Sequence, residues 1–383
     1  MVRQSTYNSL LQTDIAKDVT LCVVTRNDEG SLKQCLTSVR GIADEIVVAD
    51  LGSTDRTLRI AEDEGATIYR HHWRENWAEV RNAALLYTRS KWILQMEPDE
   101  TLEVRDAGLL RRQLKLCKSS GLTVAVLRPG VGSELSRQKS LRLFHRNRAR
   151  YFGLAAETPR VIRRQYSIAL RIHGRNASLT SPERDEKDRW LKALILSQME
   201  VEPENPALWA QLVGLYRSRG ELDVMMREAE NALVLRSLPI RERLLITNDL
   251  IHGLLATHAL DRAEELAQVG LEDNPYHMDM LYVLGEIMSR TKRYPQAIDY
   301  YAEYLRTRGL SKEQPGLDDL IFYTYGYKGR AWNAIGTCYR NMGKAIHATD
   351  AFRYAVQIDE TNVLFRENLE AMHDAGKIPT QSV

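Results

Sequence analysis

From about Pro182 onward the chain repeats itself, and a repeat of helical pairs leaves few ways for that half to fold. With Trp209, Thr247, Leu281 and Trp332 as one register point, the residues three and four further on are Leu212-Val213, Leu250-Ile251, Leu284-Gly285 and Ile335-Gly336. Seven further on stand Tyr216, Leu254, Met288 and Tyr339. This spacing is one apolar face of a helix. Sixteen residues on come Met225, Ala263, Ala297 and Ala348, and twenty on come Ala229, Ala267, Tyr301 and Phe352, which predicts a second helix laid back against the first. The register points are 38, 34 and 51 residues apart, and the long interval holds a Gly- and Tyr-rich insertion near 306–328. Residues 361–375 read as a polar-faced helix closing a solenoid.

The first half follows another pattern. Residues 19–25 (VTLCVVT) form a short apolar run rich in β-branched side chains, hence a buried strand. A helix is expected over 30–40, a strand over 45–50 and a helix over 53–65 capped by Ser53 or Thr54. A strand over 66–71, a helix over 76–88 and a strand over 92–96 follow. Such alternation predicts a mostly parallel sheet covered on both faces, with ligands bound beyond the carboxyl ends of its strands. A chain of 383 residues is long enough for two domains, expected at 1–182 and 183–383.

Four polar clusters follow those strands: Thr25-Arg26-Asn27-Asp28, Asp50 to Asp55, Glu79 to Asn82, and Glu97-Pro98-Asp99-Glu100. The acidic turn is a candidate cation site, since hard divalent ions take carboxylate oxygens. The blocks LCVVTRNDEGSLKQCLTSVRGIADEIVVADLGSTDRT, WAEVRNAAL and WILQMEPDE resemble family 2 inverting glycosyltransferases of the GT-A fold, in particular lipopolysaccharide-core glucosyltransferases and glycocin S-glycosyltransferases. The helical half resembles tetratricopeptide repeats. The fold class implied is an α/β GT-A nucleotide-diphospho-sugar transferase domain followed by an all-α tetratricopeptide solenoid.

By that resemblance Thr25, Arg26 and Asn27 line a nucleotide pocket, Asp50 approaches the base or ribose, and Arg81 and Asn82 contact the nucleotide. The family's metal motif falls on Glu97-Pro98-Asp99, with Glu in place of the usual first Asp. Asp99 would bind Mg2+ or Mn2+, His173 would complete the metal shell, and Glu97 belongs to the same donor site. Residues 152–157 resemble the segment that carries the family's catalytic carboxylate, here Glu157, with Ala156 where His is usual. Glu157 would deprotonate the acceptor.

The formal net charge is only +2, but between Ser136 and Arg175 eleven Arg and Lys stand against Glu157 alone. Donor phosphate or acceptor is the first reading of that stretch, an anionic membrane surface the second, and nucleic acid a distant third. The four cysteines are scattered, the first 18 residues lack a signal peptide's apolar core, and no run is long enough to span a bilayer, which points to a cytoplasmic protein. The function expected is metal-assisted transfer from a nucleotide sugar, a UDP-hexose, to a peptide, protein or lipid-linked glycan acceptor. The repeats would hold the acceptor, a partner or a second copy of the chain. The rival reading is a scaffold of repeats carrying an inactive transferase domain.

Overall fold

A computed structural model of the chain describes residues 18–129, 135–153, 158–161, 165–174, 181–310, 320 and 322–377. Two compact units emerge: Met1–Arg128 with Lys139–Pro203, and Pro129–Gln138 with Glu204–Val383.

The first unit runs β1 (Val19–Thr25), α1 (Leu32–Ser38), β2 (Glu45–Asp50), α2 (Thr57–Asp63), β3 (Thr67–Arg70), α3 (Trp77–Leu86) and β4 (Trp92–Met96). The chain continues with β5 (Glu100–Glu103), α4 (Ala107–Leu116), β6 (Gly121–Pro129), β7 (Leu135–His145), β8 (Ala149–Phe152), β9 (Thr158–Val161), β10 (Gln165–Gly174) and α5 (Ser181–Val201), with the first residues of β7, up to Gln138, grouped with the second unit. Eight strands form one sheet in the order β3-β2-β1-β4-β7-β6-β10-β5, and β8 and β9 form a separate pair. β1 lies parallel to β2 and β4, whereas β7 is antiparallel to β4 and β5 antiparallel to β10. Mixed strand directions adjoin the parallel core that the alternation predicts.

Every residue of β1 is buried because both faces of the sheet are covered. Val19, Leu21 and Val23 join Leu32, Cys35 and Leu36 of α1 in one core. Cys22 and Val24 join Ala78, Val80 and Ala84 of α3 in the other. Each such aliphatic side chain contributes roughly 1.5–3 kcal/mol by leaving water. Cys22 is a buried thiol, its pKa pushed up to about 12 by burial. The start of α2 differs from expectation. Ser53 and Thr54 do not cap it; Asp55 takes the Thr57 N–H at 2.9 Å, and the Ser53 hydroxyl is engaged by the Asn27 N–H. Trp190 of α5 packs 4.9 Å from Trp73 and 5.6 Å from Trp77, so α5 groups with the first unit.

The second unit is a stack of helices: α6 (Pro206–Ser218), α7 (Leu222–Leu233), α8 (Ile240–Ala256), α9 (Leu260–Asp273), α10 (Met278–Arg290), α11 (Tyr294–Leu310), α12 (Lys328–Asn341), α13 (Ala345–Ile358) and α14 (Val363–Lys377). The four pairs and the closing helix follow the sequence register. Their contact is set by volume: where the register holds Val213 or Ile251, the residue sixteen further on is Ala229 or Ala267. Where it holds Gly285 or Gly336, the partner is Tyr301 or Phe352. A methyl added at Gly336 would stand 2.6 Å from the Phe352 ring, and one at Gly285 2.8 Å from Tyr301.

The insertion between α11 and α12 is tied in by buried polar groups. Asp279, fully buried, accepts the N–H groups of Tyr323 and Thr324, the Thr324 hydroxyl and the Asn248 amide, at 2.6–2.9 Å. Arg137 and Phe322 exchange two backbone hydrogen bonds within this unit.

Candidate functional site

The strand order reverses at β1, which has β2 on one side and β4 on the other. In open α/β sheets the crevice outside the carboxyl ends at such a point is where ligands bind. Here the loops after β1 and β2 are laced together. The Asn27 N–H donates to the Ser53 hydroxyl at 3.0 Å, and the Thr54 N–H donates to the Asn27 side-chain oxygen at 2.8 Å. The Asp28 N–H reaches the Thr57 hydroxyl at 2.8 Å. Asn27 has a φ of 57°, left-handed backbone that Asn tolerates better than most residues. Asp50 is buried and accepts the N–H groups of Gly52 and Ser53 at 3.1 and 3.0 Å. Thr25 donates its hydroxyl to Asp28 at 2.7 Å, and Arg26 is exposed. Asn27 and Asp50 therefore fix the shape of the loops, and Arg26 projects from them.

On the β4 side a charged network forms. Arg81 of α3 donates to Glu97 Oε1 at 3.0 Å, with its guanidinium 5.8 Å from the centre of Trp77 and 5.7 Å from Tyr151. Gln95 donates to the same Glu97 oxygen at 3.1 Å and accepts the Tyr151 hydroxyl. Arg142 of β7 lies 3.6 Å from Glu97 Oε1 and donates to Glu100 Oε1 at 2.9 Å. Arg128, at the end of β6, donates to that Glu100 oxygen at 2.9 Å, and the Glu97 N–H donates to the other at 2.8 Å. Burial works to raise the pKa of Glu97, but Arg81, Arg142 and Arg128 outweigh it and hold the carboxyl below the usual range. Glu100 is the opposite case: burial raises it, and Arg142 offsets only part of that rise.

The other expected site residues are placed as follows. Asn82 spends both ends of its amide on the Tyr151 backbone, at 2.9 and 3.0 Å, so it clasps α3 to β8. Asp99 is half-buried in the turn beside Glu97. His173 Nε2 sits 2.6 Å from Glu103, across the pairing of β10 with the edge strand β5. Glu157 and Ala156 lie outside the described residues. The basic stretch divides: Arg142 enters the network, Arg146 donates to the Thr88 carbonyl, Arg171 faces Glu103, and Arg137 lies over Tyr325. Arg128 and Glu100 were not expected from the sequence as network members, and nothing local to Arg128 marks it.

Among the described residues, no group of three or more His, Cys, Asp or Glu side chains could hold a metal ion. The turn's chemistry agrees with that. Two of its carboxylates already hold guanidiniums, and a cation about 5 Å from one of these is repelled by roughly 3 kcal/mol per unit charge at an effective dielectric near 20. Glu97 and Glu100, committed to guanidiniums, do not offer a ready cation seat. Also among the described residues, no helix is long and apolar enough to cross a membrane.

The model of the family described as glycosyl transferase family 2 matches residues 20–171. The chain thus carries a family 2 glycosyltransferase domain, consistent with enzymatic activity and with nucleotide-sugar transfer in general. It is similar to a TPR repeat-containing protein of Synechococcus elongatus, at 36% identity over 106 residues, 28% of this chain and 26% of that protein. It is also similar to the prophage-derived glycosyltransferase SunS of Bacillus subtilis, at 22% identity over 197 residues, 49% of this chain and 46% of that protein. The matched regions span only about a quarter to a half of these relatives. Among solved structures, BtubC from P. vanneervenii superposes with a TM-score of 0.40 at 17% identity, covering 52% of this chain and 85% of that one.

Proposed function

We propose that the chain transfers a sugar from a nucleoside-diphosphate donor, a UDP-hexose, to a peptide, protein or lipid-linked glycan acceptor, with inversion at the anomeric carbon. The observation that carries this reading is the convergence of laced loops, Arg81 and Arg142 on the carboxyl ends of β1 and β4, inside the span that the family model matches. The nucleotide would lie against the loops after β1 and β2, near Thr25, Arg26, Asn27 and Asp50. The acceptor's oxygen or sulfur attacks the anomeric carbon as the bond to the diphosphate breaks, and the nucleoside diphosphate leaves with the electron pair. Donors already in place stabilise that charge without reorganising. The acceptor's proton goes to a carboxylate, for which the sequence offers Glu157. Mg2+ or Mn2+ is implied by family resemblance, but this chemistry assigns it no step.

The test is a panel of nucleotide sugars with the full chain, reading released nucleoside diphosphate by chromatography and acceptor mass by intact-mass spectrometry. Peptides and lipid-linked glycans serve as acceptors. One donor is expected to be turned over well above the blank. A folded chain that turns over none of them would contradict the reading and favour the scaffold.

A further inference from the structure

The outer side of α4 carries side chains that a merely solvated helix does not call for. Leu110 and Leu114 turn inward and join the core of the first unit. Leu109, Arg112 and Leu116, three and four residues apart, fall on the opposite side, since each residue turns the helix by about 100°. Leu109 is 46% exposed and Leu116 is 82% exposed. The open surface continues past the end of α4. A cavity of about 230 Å3 is lined there by Gln113 and Cys117 together with Leu122, Ser167 and Ile168. Tyr166, beside Ser167 on β10, is also exposed.

The charge on this side stays positive when set against the acids that its cations meet. Residues 104–118 hold five cations, Arg105, Arg111, Arg112, Lys115 and Lys118, and one acid, Asp106. Asp44 takes Arg111 at 2.7 Å and Asp18 takes Lys115 at 3.6 Å. Arg105 stands near Glu103, which His173 and Arg171 also engage. Asp106 caps α4 by accepting the Leu109 N–H at 2.8 Å, and faces Arg112 across Gly108. Those four acids still leave a surplus of cations, with Arg112 and Lys118 both exposed.

A single exposed leucine needs no explanation. Two on one side of a helix, with Arg112 between them and lysines beside them, form a surface of the kind that lies on membranes. Lipid phosphates attract the cations, and the leucines leave water among headgroups and acyl chains. An acidic protein or a nucleic acid would match the cations and leave Leu116 in water. Among the described residues no helix can cross a bilayer, so such a contact is with its surface.

We propose that this side of α4 docks the chain on an anionic membrane surface, with Leu109 and Leu116 at headgroup depth and Arg112 and Lys118 against lipid phosphates. The inference goes beyond the transfer function and does not rest on it. Of the acceptors named above, a lipid-linked glycan is the one that such a surface brings within reach.

Co-sedimentation of the full chain with vesicles tests it. One set is phosphatidylcholine alone, and the other is about three parts phosphatidylcholine to one part phosphatidylglycerol. The anionic set is expected to bind about tenfold or more tightly than the neutral one. Leu116→Ser should weaken that binding by about fivefold, and Arg112→Glu combined with Lys118→Glu by about tenfold or more. Both variants should melt where the parent does, because the side chains changed are exposed. Equal binding to the two sets, no binding to the anionic set, or binding unmoved in both folded variants overturns the inference. A dimer that Leu116→Ser dissociates, with no vesicle bound, also overturns it and gives this side of α4 to a second copy. Duplex DNA bound through Arg112 and Lys118, with no vesicle bound, overturns it in favour of nucleic acid.

Discussion

Replacing Glu100 with Ala is expected to destabilise the first unit by about 3–5 kcal/mol, the usual cost of leaving a buried ion-pair partner alone. Glu100 is fully buried and serves three donors at once: Arg128, Arg142 and the Glu97 N–H. After truncation Arg128 can turn to water, since its side chain is 43% exposed, but Arg142 at 12% cannot. The cost therefore concentrates at Arg142. A fall of roughly 10 °C in the melting temperature is expected for a unit of this size. Glu100→Gln keeps the volume and one acceptor oxygen, so about 1–3 kcal/mol is expected there. Thermal melting followed by circular dichroism distinguishes the two. A Glu100→Ala variant as stable as the parent would mean that the network adds nothing to the fold.

A second large effect belongs to the helical unit. Asp279→Ala should cost about 3–5 kcal/mol, because it strands four donors, three of them buried, at about 1–3 kcal/mol for each buried one before relaxation. Those donors are the part-buried N–H of Tyr323 and the buried N–H of Thr324, Thr324 hydroxyl and Asn248 side-chain amide. Asp279→Asn preserves the shape but turns one acceptor into a donor facing N–H groups, so it should be nearly as damaging. Urea denaturation monitored by tryptophan fluorescence measures both. Asparagine tolerated at wild-type stability would show that the insertion is held by its apolar contacts, chiefly buried Phe322 and Leu320, and not by this carboxylate.

The layout of both halves was legible in the sequence for physical reasons. The helical register survives because each glycine in it is answered by an aromatic side chain sixteen residues later, a compensation that spacing alone reveals. β1, β2 and β4 are legible because strands buried on both faces read as continuous apolar runs. The start of α2 was not, because the Ser53 hydroxyl that could have capped it is committed to the Asn27 N–H across the loops. The basic stretch read first as a site for donor phosphate or acceptor, yet only Arg142 of its arginines enters the network at Glu97 and Glu100 among the described residues. Alternating side chains along β7 and β10 point to opposite faces, so proximity in sequence scatters charge in space. The pairing of Arg81 with Glu97 joins a helix to the end of a strand, and the partnership of Arg128 with Glu100 joins two strands. Neither spacing has a local signature.

The central claim is that a nucleoside diphosphate occupies the carboxyl edge between β1 and β4. Hydrogen exchange of the full chain with and without UDP measures this most directly, because it locates protection along the backbone. Protection is expected in the loops after β1 and β2, residues 25–29 and 50–55, and in the turn at 95–100, with the helices from α6 to α14 unchanged. Protection confined to those helices, with the three loops exchanging as they do without UDP, would contradict the account.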